Sequence, residues 1–174
     1  HLTARDELPG FVDDADGAWS TTPGEQSPNW PDIAPRLKSR EVIASIAEAR
    51  RLGVPEDRWV HIHGVADCAE PSMLSRENLE QSPAAVAAIS TAFEIAGKGW
   101  QDLAAIDLYS CFAIPVFNLL DAFALDHDDP RGWTLTGGLP FFGGAGNNYS
   151  AHGIAEAIQR CRAAPGSFAL VGAN

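Results

Sequence analysis

Thr134-Leu135-Thr136-Gly137-Gly138-Leu139-Pro140-Phe141-Phe142-Gly143-Gly144-Ala145-Gly146-Asn147-Asn148-Tyr149-Ser150-Ala151-His152-Gly153-Ile154-Ala155-Glu156 is the stretch on which the reading of this chain turns. It begins with strand-forming residues, crosses a loop with five glycines and enters a helical pattern. Glycine lets the backbone turn with positive φ and lets a ligand approach the main chain closely. The N–H groups at the start of the following helix can hold an anion or a developing oxyanion. Many α/β folds use such a turn only to change direction. Here Asn147, Asn148, Tyr149 and His152 crowd in directly after the glycines, and groups that donate, accept and titrate are costly to pack without a purpose. The chemistry is therefore placed at this loop.

Outward from it, the chain alternates between two periodicities. Leu103-Ala104-Ala105-Ile106-Asp107-Leu108-Tyr109 is apolar throughout except for Asp107, as a strand buried on both faces would be. Ser110-Cys111-Phe112 turns it into a helix expected to reach Leu125, with Pro115 in the first turn. Residues 126–131 read as a turn, Trp133 to Gly137 as a strand, Ser150 to Arg162 as a helix, and Phe168 to Val171 as a strand. Toward the amino terminus, Pro83 to Ala96 reads as a helix capped at Ser82 with Val86, Ile89 and Phe93 on one face. Trp59 to Ala66 alternates like a half-buried strand. Asp67 to Pro71 starts a loop placed to hang over a site. Helix formers dominate Arg40 to Gly53, ending at a glycine followed by Pro55, although Val42 and Ile43 also suit a preceding strand. The order is that of an α/β domain. Residues 1–37, with five prolines and no sustained periodicity, read as an irregular arm or insertion that buries Phe11, Trp19 and Trp30 against something, and residues 38–174 as the domain.

With 174 residues, 45% of them hydrophobic, the chain suits one soluble domain. No apolar run is long enough to span a bilayer and no charged-then-apolar leader opens the sequence, so a cytoplasmic location is expected. A net charge of −11 argues against nucleic acid and anionic membranes as partners. Arg36, Lys38, Arg40, Arg50 and Arg51 are a possible basic patch for a phosphate-bearing coenzyme, with solvated surface residues the favoured reading. Cys68, Cys111 and Cys161 are scattered, and read as reduced thiols, most simply small core residues. His61 and His63 share a strand face, but no third ligand stands at informative spacing, so a structural role is favoured and no metal site is expected.

Asp107-Leu108-Tyr109-Ser110-Cys111-Phe112, the glycine loop through His152, and Arg50-Arg51-Leu52-Gly53-Val54-Pro55-Glu56-Asp57-Arg58-Trp59-Val60-His61-Ile62-His63-Gly64 together resemble the carboxy-terminal half of thiolase-like proteins of the acetyl-CoA acetyltransferase family, related to the sterol-carrier-protein type of thiolase. The resemblance covers roughly residues 40–174. It implies half of a thiolase fold, βαβαβαββ, a mixed sheet covered by helices and lacking its final strand or strands, with the acyl-accepting cysteine in the other half. It implies a coenzyme A thioester as substrate, no covalently bound cofactor, and a chain that is one part of a larger polypeptide or assembly, completed by a second thiolase-fold half or by homo-oligomerisation.

The departures from that pattern are specific. A Gly-His-Pro expected in the glycine loop falls at Gly144 and Ala145, and a late Cys-x-Gly falls near Gly172, without its cysteine. Of the His-Asp-Cys-Phe motif, Cys111 and Phe112 remain. The usual ping-pong condensation then lacks its nucleophile and base. Tyr109, Cys111, Tyr149 and His152 are the candidate catalytic residues, and Gly143, Gly144, Gly146, Asn147 and Asn148 the candidate substrate-binding residues. Tyr149 or His152 suits the acid/base of a retro-aldol or related carbon–carbon cleavage, with N–H groups near Gly144 and Gly146 on an enolate oxygen. Cys111, at a strand-to-helix turn, is either a reactive thiol or a buried small residue. Two further readings stand beside an acyl-CoA enzyme. One is a non-catalytic thiolase-fold partner subunit. The other is a nucleotide-binding domain, disfavoured because its glycine loop should follow the first strand.

Overall fold

The computed structural model describes residues 12–13, 19–20, 44–143 and 146–173. The chain divides after Trp59 into two units. In the first, β1 (Val12–Asp13) pairs antiparallel with β2 (Trp19–Ser20). The rest of the expected arm, with Val42 and Ile43, lies outside the described residues. Helix α1 (Ile46–Arg51) starts where Ser45 Oγ accepts the Glu48 N–H at 3.1 Å. It ends as expected at Gly53, whose φ is +68°. Arg51 turns back onto the Glu48 carboxylate with both guanidinium arms, at 2.7 and 2.6 Å, and Arg50 lies near Glu56 at 3.4 Å. Both are exposed surface pairs, in keeping with the favoured reading of these arginines.

The second unit is built on β3 (Leu103–Asp107), which pairs in parallel with β4 (Phe168–Val171), Ile106 standing opposite Leu170 and Asp107 opposite Val171. On its other edge, Leu108 N–H donates to Trp133 O and Leu135 N–H to Ile106 O, both at 2.8 Å, around an antiparallel bridge from Asp107 to Thr134. β3 is thus the middle of a small mixed sheet, as its apolar run predicts. Ile106 and Leu108 point into a core shared with Ile89 of α2 (Pro83–Ala96) and with Val116, Leu119 and Leu120 of α3 (Ala113–Ala122). Asp107, between them, points the other way, toward α5 (Tyr149–Ala163), which packs on β3 and β4. Phe93, Trp100, Phe123 and Trp133 close one end of the core with edge-to-face rings 5.1–5.9 Å apart.

The four helices α1, α2, α3 and α5 match the expected ones to within a few residues, apart from the start of α1; α3 ends at Ala122, with Phe123 as its cap, rather than at Leu125, because Ala124 takes a φ of +51°. A one-turn helix, α4 (Leu139–Phe142), sits unforeseen inside the glycine loop. Two expected strands are corrected. Residues 60–66 form no ladder with any described residue; instead Gly64 approaches α2 closely, where a Cβ on it would overlap the Ala92 carbonyl oxygen. The strand expected over Trp133 to Gly137 shrinks to the bridge at Thr134, because the Thr134 carbonyl closes a turn on Gly137 N–H and Gly137 and Gly138 both take positive φ. Ser82 makes no capping bond to α2. Glu70, from the loop expected to cover a site, accepts the Ala84 N–H at 2.9 Å and lies 3.7 Å from Arg76. Cys68 is exposed rather than in the core, while Cys111 and Cys161 are partly buried.

Candidate functional site

The carboxyl end of β3, the turn after Thr134 and the start of α5 meet around four polar side chains. Asp107 Oδ1 accepts both the Thr136 N–H at 2.9 Å and the Thr136 hydroxyl at 2.8 Å. The Tyr149 hydroxyl lies 2.6 Å from Thr136 Oγ1 and 3.4 Å from Ser110 Oγ. Ser110 Oγ in turn accepts the Leu139 N–H at 3.0 Å, anchoring the first turn of α4. Asp107 and Tyr149 are each only 1% exposed. Such closeness depends on Gly153, since a Cβ there would stand 2.6 Å from Asp107 Oδ2 and 3.1 Å from Val171 Cγ1. Asp107 Oδ2 has no hydrogen-bond partner among the described residues. Burial pushes the Asp107 carboxyl above its ordinary range, against the bonds from Thr136 that favour the anion.

One turn along α5, His152 shares the Tyr149 face at helical spacing. Phe142 lies against both rings, its centroid 6.3 Å from Tyr149 and 5.4 Å from His152. Neither nitrogen of His152 has a partner among the described residues, and burial lowers its pKa, with Glu156 opposing. The sign follows for stability. A neutral buried imidazole favours the folded chain fully above the unfolded value of 6.5, and that contribution is lost as pH falls through the lower folded value. The thermal midpoint of the wild type is therefore expected to fall relative to that of His152→Leu as pH drops below about 6.5. Parallel midpoint curves would mean that water reaches the ring.

Tyr109 lies edge-on to Tyr149 at 6.2 Å, and its pKa is raised by the neighbouring Cys111 side chain and by desolvation. Tyr109, Cys111, Tyr149 and His152 thus gather at one end of the sheet. Among the candidate binding residues, Gly143 and Gly146 are exposed and take φ of +112° and +58°. Asn148 directly precedes α5 without a side-chain capping bond. Gly144 and the side chain of Asn147 lie outside the described residues. The structure adds Asp107, Ser110 and Thr136, which sequence reasoning did not single out. Asp107 carried a signal, as the lone carboxylate in a run of buried strand residues. Among the described residues no three His, Cys, Asp or Glu side chains gather as a metal site; the His61 and His63 rings are 6.5 Å apart, and His63 packs edge-on to Phe168.

No family model matches the sequence, and neither does any curated protein. Among solved structures, the chain is similar to the monomeric SCP2-thiolase-like protein type 1 from Mycobacterium smegmatis, with 60% sequence identity and a TM-score of 0.73. The similarity covers 75% of this chain and 29% of that protein, so the chain spans less than a third of its relative's length.

Proposed function

We propose that this chain, thiolase-like and related to the sterol-carrier type of thiolase, with a partial thiolase-like fold, is part of an enzyme acting on acyl-CoA thioesters by acyl transfer or by carbon–carbon bond formation or cleavage. The observation that carries this reading is the 60% identity over three quarters of the chain. The chemistry such thioesters need is a base for the α-proton and a cradle for the enolate oxygen. Tyr149 and His152 supply the proton-transfer groups, and the backbone near Gly144 and Gly146 the N–H donors. The retro-aldol variant is favoured over condensation because the glycine loop carries no histidine and the strand end no second cysteine. The isolated chain is expected to be inactive until a second thiolase-fold half, or a second copy, covers the apolar side chains it leaves exposed: Phe112, Ile114, Phe117 and Phe141 all face solvent, Phe141 at 89%. A cytoplasmic setting agrees with the composition, and among the described residues no helix is long and apolar enough to cross a membrane.

A non-catalytic partner subunit is the second reading, favoured by the sealed position of the Tyr149 hydroxyl. The two separate on one experiment. The complete polypeptide, incubated with acetyl-CoA in deuterated buffer, is expected to bind it and to load deuterium onto the acetyl carbon faster than buffer alone. Binding without exchange would select the non-catalytic subunit, and no binding by the complete polypeptide would overturn the thioester reading.

A further inference from the structure

The hydrogen bonds around Tyr149 have one direction. Asp107 Oδ1 faces the Thr136 N–H, so it is an acceptor, and the Thr136 hydroxyl hydrogen is committed to the same oxygen. Thr136 Oγ1 then has only lone pairs left for Tyr149, so at 2.6 Å the phenol is the donor. At the far end Ser110 Oγ receives the Leu139 N–H and keeps its own hydrogen for the phenol oxygen, but at 3.4 Å, beyond the ordinary range for such a bond. Two short links therefore run from Tyr149 to a carboxylate, and the loose link lies on the Ser110 side.

We propose that Tyr149, Thr136 and Asp107 form a hydroxyl relay in which the buried carboxylate of Asp107 takes up the proton that Tyr149 passes on when its phenol oxygen receives one. That the incoming proton is the α-proton of a thioester rests on the function proposed above; the relay itself does not. The step balances. The ligand's C–H bond breaks and leaves its electron pair as an enolate, and the proton bonds to Tyr149 Oη. The original Tyr149 hydrogen moves to Thr136 Oγ1, and the Thr136 hydrogen to Asp107 Oδ1. Negative charge passes from Asp107 to the ligand while the two hydroxyls stay neutral, and reversal returns each proton. Thr136 and Asp107 act through Tyr149 and are positioning residues. The raised pKa of Asp107 suits a group that must hold a proton for part of a cycle. No charged group contributes to that shift; the ionisable side chains on the packed elements are Tyr109 beyond β3, and Tyr149, His152, Glu156, Arg160, Cys161 and Arg162 on α5.

The test reads the carboxyl and the hydroxyl protons without substrate, in the complete polypeptide, with Asp107→Asn assigning the aspartate signal in carbon-13 NMR. Thr136→Val is expected to raise the pH at which Asp107 takes its proton by about one unit, and Thr136→Ser to restore it. Tyr149→Phe removes an oxygen that does not touch the carboxylate, yet is expected to raise the same midpoint by a few tenths of a unit, because chained hydrogen bonds strengthen one another. An unmoved midpoint in folded Tyr149→Phe would overturn the relay. So would a wild-type Tyr149 hydroxyl proton that shows its cross-peak to Ser110 instead of Thr136, a reading that needs no variant to fold. A polypeptide that meets these expectations but neither binds acetyl-CoA nor exchanges its protons keeps the relay and overturns the thioester reading.

Discussion

Trp133→Ala is expected to lower the stability of the second unit by about 3–5 kcal/mol, read from the midpoint and slope of urea unfolding followed by circular dichroism. The side chain is buried, its ring meets Trp100 edge-on at 5.9 Å, and its indole N–H donates to the Asp126 carbonyl at 3.2 Å. Truncation removes the ring's contacts and leaves a space that the Phe93, Trp100 and Phe123 rings, already in contact, fill only by shifting. The effect should reach the site as well. The Trp133 carbonyl accepts the Leu108 N–H, and three residues on, Thr136 is held against Asp107, so loosening this edge of β3 loosens the hydroxyl pair. A loss below about 1 kcal/mol would show that the aromatic cluster repacks freely, outside the range for a buried ring of this size.

The parts of the fold that depend on neighbours in sequence were legible, and the parts that depend on distant partners were not. Helix α2 is announced by Pro83 at its start and by Ile89 on its apolar face, and in the structure Gly97, in the left-handed conformation, ends it. Its actual cap comes from Glu70, 14 residues away from the amide it binds, and no local pattern specifies that. Strands suffer more, because a strand exists only when another backbone completes its ladder. β3 and β4 find each other; residues 60–66 have the alternation but meet α2 through Gly64 instead. Arg131 is a further case. It leaves the turn at residues 126–131 to donate to the carbonyls of Trp100 and Leu103 at 2.6 and 2.9 Å while Asp129, held down to a pKa of about 2 by Arg131, keeps it in place. Sequence spacing shows Asp129 and Arg131 among the charges of one turn, and only the fold shows that this pair secures the entry to the central strand.

The candidate site divides in the same way. Tyr149 and His152 stand out because titrating groups three apart after a glycine loop share a helix face. Thr136 does not stand out, since threonine in a strand-forming stretch is ordinary, and its hydroxyl matters only because β3 brings Asp107 within 2.8 Å of it. Gly153 reads from sequence as a helix weakness, costing about 1 kcal/mol against alanine. In the structure a side chain at this position would strike the buried carboxylate. A residue unfavourable to its own element is here required by the contact between elements.

The largest functional effects are expected from Tyr149→Phe and His152→Ala in the complete polypeptide, each slowing deuterium exchange into the acyl group of acetyl-CoA by about 10²-fold, near 2.7 kcal/mol of barrier. The two should differ in pH dependence. Loss of His152 removes a group whose folded pKa lies below 6.5, so the acid limb of the rate profile should disappear with it. Loss of the Tyr149 oxygen leaves that limb in place and lowers the whole curve, because the phenol works by passing a proton to Thr136. Thr136→Val should then fall between wild type and Tyr149→Phe, near tenfold, in the turnover rate rather than in KM, since valine keeps the shape and removes only the hydroxyl through which Asp107 is reached. Rates unchanged in both Tyr149→Phe and His152→Ala would remove the chemistry from α5 and leave Tyr149 as a buried strut between Thr136 and Ser110.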